Sequence, residues 1–222
     1  AMGVIFNTAN FILEQEELLP YPEAHLAAVG TLPMDFNAEP ERYKLRQLLE
    51  LAGFNGGSLK DEVIAWREAQ PTITEEELED KVKDIVSTLS QLTGKIVCPS
   101  LPENLAQSSI NDIKKLTLNL VSGVFWNASY TYLGGVDSEG VLQLNQNCRR
   151  TLPELYTLVA HEVVPGHHFN YILSQVLYNQ RKIGFEATIP LLCTPRVALM
   201  EGLAENALFL LSEDNLDTNI NL

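Results

Sequence analysis

Imidazole nitrogens and carboxylate oxygens together make the commonest catalytic metal sites, and residues 161–168 bring both together. The stretch reads His161-Glu162-Val163-Val164-Pro165-Gly166-His167-His168, and three of the chain's four histidines fall inside it. The run from Leu152 to Leu177 around it is otherwise apolar and reads as a helix. Histidines at i and i+4 on a helix share a face and can grip one Zn²⁺, while a glutamate at i+1 serves as general base for a water. Here the second histidine stands at i+6 or i+7. At ~100° per residue, i+6 points to another side of a straight helix, and i+7 lies ~10.5 Å along the axis. Two Zn–N bonds of ~2.0–2.1 Å cannot span that distance.

Pro165 and Gly166 supply the remedy. Proline has no N–H for the carbonyl of His161 and its ring crowds that carbonyl. Glycine accepts backbone angles that other residues do not. Together they should bend or bulge the helix. With both removed on paper, H-E-V-V-H remains, which favours His167 over His168 as the second ligand to His161. The plainer alternative is a kinked core helix whose histidines line the bend, but an ionised Glu162 facing a core is costly without a partner.

A catalytic zinc site holds three protein ligands and leaves one position open. Arg196 to Leu211 reads as a last helix, with Glu201 and Glu205 at i, i+4 on one face among Val197, Leu199, Met200, Leu203, Leu208 and Phe209. Glu201 is expected as the third ligand. Glu205 is expected to hold a ligand histidine through its free ring nitrogen. The competing reading is a solvated acidic stripe. In this scheme one Zn²⁺ per chain activates water and polarises a carbonyl, and Glu162 moves the proton. An oxyanion donor is also needed, and Tyr130, Tyr132 and His168 are the candidates.

These motifs resemble a bacterial family catalogued as domain of unknown function eight-hundred-eighty-five. Its motifs run H-E-x-x-P-G-H-H and E-G-W-A-x-Y-x-E. The first is matched in full by residues 161–168. The second is matched at Glu201, Gly202 and Ala204, with Leu203 in place of tryptophan and a shorter spacing to Glu205. Tyr130 and Tyr132 stand where that family carries an aromatic stretch. The resemblance covers residues 120–210 and implies a zincin-like metal-dependent peptidase. Family members run longer than this chain, which suits a fragment of a longer protein.

The remaining elements must position these groups. Glu41 to Leu51 reads as a helix ending before Gly53. A second opens at Ser58, which can cap it with Asp61, and ends before Pro71. A third starts at Thr72 or Thr74 with the acidic turn Glu75-Glu76-Glu77, and its apolar face is Leu78, Val82, Ile85, Val86 and Leu89. Pro99 and Pro102 mark a loop, taken as the boundary between a helical subdomain, 1–100, and a metal-site subdomain, 101–222. Residues 109–150 look partly β: Leu116–Phe125 mixes apolar and polar residues, Tyr130–Leu133 is short and aromatic, Gly134-Gly135 and Asp137-Ser138-Glu139-Gly140 are turn chemistry, and Val141–Asn145 alternates as a half-buried strand does. Thr151, Pro153 and Glu154 start the metal helix, and Gly184 lies beyond its end. The fold class is therefore α+β: mainly helical, zincin-like, with a kinked active-site helix beside a short sheet. The order of a strand, Val141–Asn145, and then the H-E helix resembles zincin peptidases, whose sheet edge lies over the cleft; that resemblance implies Val141–Asn145 at the sheet edge, and an ordinary sheet strand is the alternative. A peptide substrate could add there as a strand, with Gln143, Asn145 and Asn147 near it.

Composition sets the limits. The chain has 222 residues, 45% hydrophobic and 20% charged, with a formal net charge of −14. That charge argues against nucleic acid and against anionic membranes. No apolar run reaches the ~18 residues of a membrane-spanning helix. The three cysteines, Cys98, Cys148 and Cys193, are odd in number and far apart, which excludes a full disulfide framework. Residues 1–7 lack the basic region and long apolar core of an intact signal peptide, so the sequence assigns no compartment. His25 stands alone and reads as an ordinary surface or packing residue. Two rivals to the peptidase reading stand beside it: a peptide- or partner-binding module without turnover on a degenerate or truncated peptidase fold, and a metal-dependent hydrolase of another bond.

Overall fold

A computed structural model describes residues 37–113, 115–134, 139–189 and 194–211. His25, Cys193 and the reading of residues 4–30 lie outside them. The described chain is mainly helical with one small mixed sheet, an α+β arrangement. Helices α1 (Glu39–Leu51), α2 (Leu59–Ala69) and α3 (Glu75–Ile96) come first. Ser58 caps α2 by accepting from the Asp61 amide at 3.2 Å. Thr74, not Thr72, caps α3, in a reciprocal box with Glu77. A short 3₁₀ turn at Cys98–Ser100 and helix α4 (Glu103–Asp112) follow. Helix α4 is not expected from the sequence, where Pro99 and Pro102 mark a loop.

The sheet contains β1 (Leu116–Val121), β2 (Ala128–Gly134) and β3 (Glu139–Asn145). Its order is β1-β3-β2, with β3 parallel to β1 and antiparallel to β2. The strand expected at the edge, Val141–Asn145, is thus the middle one. Its alternation places Leu142 and Leu144 fully in the core. The strand beside the helices of the site is β2, an edge strand.

Helix α5 (Leu152–Glu162) is capped by Thr151, which exchanges bonds with Glu154. After a break come α6 (His167–Asn179), a 3₁₀ turn at Phe185–Thr188, α7 (Pro195–Glu205) and α8 (Ala207–Leu210). Thr194 caps α7 by accepting from the Val197 amide at 3.3 Å. One apolar core contains Val82, Ile85 and Leu89 of α3, Leu142 and Leu144 of β3, Leu155 and Val159 of α5 and Ile172 of α6. It therefore runs across the Pro99–Pro102 loop that the sequence suggested as a boundary. No helix among the described residues is long and apolar enough to cross a membrane.

Candidate metal centre

The two ligand histidines are brought together by a widened turn. Helix α5 faces the core with Leu155, Val159 and Val163, so His161 and Glu162 face outward, half-buried. The last regular bond runs from the Val163 amide to the Val159 carbonyl at 2.9 Å. Beyond it the chain spreads. The Gly166 amide donates to Ala160 and the Phe169 amide to Val163, both at 3.0 Å and six residues apart. Normal spacing resumes where Asn170 donates to Gly166 at 3.1 Å. The Val164–Pro165 peptide is cis. A Cβ on Gly166 would collide with the carbonyl oxygens of His161 and Ala160, so this approach admits only glycine. The helix is broken rather than bent, and the break does what the sequence required. The rings of His161 and His167 lie 4.7 Å apart, edge to face at 90°.

Helix α7 supplies the carboxylates. Arg196 ties it to α6 by donating to Ser174 Oγ at 3.1 Å. Glu201 Oε2 lies 3.5 Å from His161 Nε2 and 3.4 Å from His167 Nε2. Two ligand atoms held ~2.1 Å from one tetrahedral zinc stand about 3.4 Å apart, so both spacings fit an ion between them. One ligand atom from each of His161, His167 and Glu201 lies within 4.8 Å of the other two, and this group could hold a metal ion. On the far side of the His161 ring, Glu205 Oε1 lies 3.7 Å from Nδ1, close to the position that orients a ligand histidine.

Glu162 lies beside this trio. Burial raises its carboxyl above the ordinary carboxylate range. The His161 ring opposes that shift, and the charges of Glu201 and Glu205 add to it. Burial lowers the His167 imidazole, with Glu201 pulling the other way. Both shifts suit their expected roles: a base strong enough to take a proton and a neutral ligand.

Two cavities meet at this point. One of about 340 Å³ is lined by Tyr130, His161, Glu162, His167, Tyr171 and Glu201, among others. A second of about 560 Å³ shares His161 and Glu162 and reaches Arg67, Arg149 and Glu154. Strand β2 borders both, with Ala128 on the larger and Tyr130 on the smaller.

Of the expected oxyanion donors, only Tyr130 lines the metal cavity. His168 is fully buried, and its Nδ1 lies 2.7 Å from the Tyr130 hydroxyl. Burial drives its pKa from 6.5 to about 4, against the carbonyls of Ile113 and Asp112, so the ring is neutral. His168 therefore stands behind Tyr130 and does not border the metal cavity. Tyr132 stacks on Tyr171, with ring centroids 5.2 Å apart at 11°, and does not border the cavity. The substrate contacts expected of Asn145 and Gln143 are also displaced. Asn145 is buried, and its amide donates to the carbonyls of Val124 and Trp126 at 2.9 and 3.0 Å. Gln143 lies in the middle strand, between Asn119 and Ser129, and borders neither cavity. Asn147 accepts from the Gly123 amide at 3.1 Å and holds a turn.

Two residues were not singled out from the sequence as site residues. Tyr171 follows His167 at i+4, so it shares that ligand's face of α6, and this spacing was the available signal. Gly140, whose neighbours in the sequence suggest a turn, lies in β3. A Cβ there would lie 2.6 Å from the Tyr130 hydroxyl oxygen and 2.7 Å from His168 Nδ1, so a bare backbone is what admits that pair.

Comparisons with protein-family models, curated proteins and solved structures find no match to this chain.

Proposed function

We infer that the protein is a zinc-dependent hydrolase of zincin-like architecture acting on peptide bonds. The observation that carries this reading is the His161–His167–Glu201 trio with Glu162 beside it. Two imidazoles and a carboxylate at these spacings suit zinc, and the base adjoins the ligands at the junction of two cavities. The match of residues 161–168 to H-E-x-x-P-G-H-H supports the same conclusion.

A zinc ion held there supplies Lewis acidity and acidifies water. The residues do the rest. His161, His167 and Glu201 fix its position, and Glu205 orients the His161 ring. Glu162 accepts a proton from the attacking water and passes it to the leaving amine. Tyr130 faces the cavity with its hydroxyl braced by His168, and Tyr171 is its neighbour there. Both tyrosines line the cavity, and they are the proposed donors to a developing oxyanion. Among the described residues β2 is an edge strand of the sheet, and a peptide main chain joining it at Ala128–Tyr130 would run past both cavities.

The test is hydrolysis of a quenched-fluorescent peptide library by the zinc-supplemented chain and by Glu162→Gln. Removal of the base should lower turnover by about 10²–10⁴-fold while zinc content stays unchanged. Equal turnover in both proteins would remove Glu162 from the chemistry. Hydrolysis of ester but not peptide substrates would redirect the reading to another bond.

A further inference from the structure

The larger cavity gathers cations at one end. The chain carries a formal net charge of −14, with only 15 lysines and arginines. Three of those cations, Arg67, Arg149 and Arg150, line this one cavity. Arg150 is buried, and its described hydrogen bonds all go to neutral oxygens: the carbonyls of Asn145, Cys148 and Asn127 and the side-chain oxygen of Asn127. Arg149 is exposed, and its described bonds use only Nη2, toward the carbonyls of Glu68 and Gln70. Arg67 meets Glu154 at 2.5 Å, but Glu154 also serves the Thr151 cap. Glu154 is therefore one carboxylate facing three guanidinium groups at this end. The other two carboxylates of the cavity, Glu162 and Glu205, belong to its metal end.

Strand direction decides what reaches this end. Strand β2 runs from Ala128, at the arginine cavity, to Tyr130, at the metal cavity. A peptide joining the β2 edge in the more stable antiparallel sense runs the other way. Its N-terminal part lies by Tyr130 and its C-terminal part enters the arginine cavity. On the basis of the peptidase reading above, we propose that this cavity is a specificity pocket. It takes a carboxylate on the C-terminal side of the scissile bond: an acidic side chain or the terminal carboxylate of the peptide. Arg149 and Arg67 bind that group directly, and Arg150 supplies field from beneath. Guanidinium is suited to this task because its planar donors match a carboxylate in pairs.

The test is peptide binding by fluorescence anisotropy to the 222-residue Glu162→Gln chain with zinc added, so that bound peptide is not consumed. Four fluorescein-labelled hexapeptides serve as probes. One has a glutamate near an amidated C-terminus, one has neutral side chains with a free C-terminal carboxylate, one is neutral and amidated, and one carries its glutamate near the N-terminus. At least one of the first two should bind about tenfold more tightly than the neutral amide, as charge-assisted bonds allow. Which one does so separates side chain from terminus. The N-terminal glutamate should bring no gain. The advantage should shrink at high salt and disappear in Arg149→Gln or Arg67→Gln. A gain below threefold for both carboxylate peptides, an equal gain from the N-terminal glutamate, or an advantage that survives both arginine substitutions would overturn the proposal. Hydrolysis of the neutral amide by the unsubstituted chain reads peptidase activity separately, so failure of the pocket and failure of the peptidase reading are distinguishable.

Discussion

His168 is fully buried against Tyr130, and its pKa falls from 6.5 to about 4. Burial disfavours the imidazolium, so the folded chain binds the proton less readily than the unfolded chain. Between those two values the unfolded state carries more protons, and stability must fall as pH falls. The loss sets in as pH falls through 6.5 and levels off as pH falls through about 4. With the two pKa values given, the linkage relation yields a loss of about 2 kcal/mol between pH 7 and pH 5 from this residue alone. Urea unfolding followed by tryptophan fluorescence at pH 7, 6 and 5, with a chelator present, measures it. Other groups titrate in that range as well, so the comparison is with His168→Asn. That side chain places an oxygen near the former Nδ1, keeps an acceptor for Tyr130 and does not titrate. The variant is expected to be less stable at pH 7, and its pH dependence between 7 and 5 should be flatter by about 2 kcal/mol. Parallel pH dependences would refute the argument that His168 is neutral because it is buried.

Four further outcomes follow from the geometry. Gly140→Ala would put a methyl group 2.6 Å from the Tyr130 hydroxyl and 2.7 Å from His168 Nδ1. It should cost about 1–3 kcal/mol in chemical denaturation, through overpacking against that pair. Gly166→Ala collides with the backbone at His161, so the ligand must move, and zinc affinity measured against a competing chelator should fall about tenfold or more. Glu205→Gln, beside His161 Nδ1, should weaken zinc by about 10-fold while leaving the fold intact by circular dichroism. Leu155→Ala, at a fully buried position of α5, should cost about 2–5 kcal/mol in urea unfolding.

The parts of the site that one helix or one turn specifies were legible in the sequence. Pro165-Gly166 between the histidines rules out a regular helix, and the break that results brings His161 and His167 together. The i, i+4 spacing of Glu201 and Glu205 put both on one face, and the structure sets one against each side of the His161 ring. The caps at Ser58 and Thr151 were readable because each is a bond within four residues, whereas Thr72 and Thr74 both suited α3 and the structure uses Thr74. Sheet order was not readable. The alternation in Val141–Asn145 says that one face is buried, but not which strands lie on either side. The substrate edge was therefore assigned to β3 when β2 occupies it. His168 shows a related limit. Beside a ligand at His167, residue type alone cannot tell a histidine that faces metal from one that turns into the core. Nor does Gly140 announce itself, because the atoms it makes room for come from β2 and α6, distant in the chain.

The central claim is one metal ion held by His161, His167 and Glu201. Zinc per chain, counted by mass spectrometry on protein equilibrated with zinc and then desalted, tests it most directly. The expected result is about one zinc per chain, retained in Glu162→Gln and lost in His161→Ala, His167→Ala and Glu201→Ala. No zinc in the unsubstituted protein, or one zinc that persists in all three ligand variants, would contradict the account.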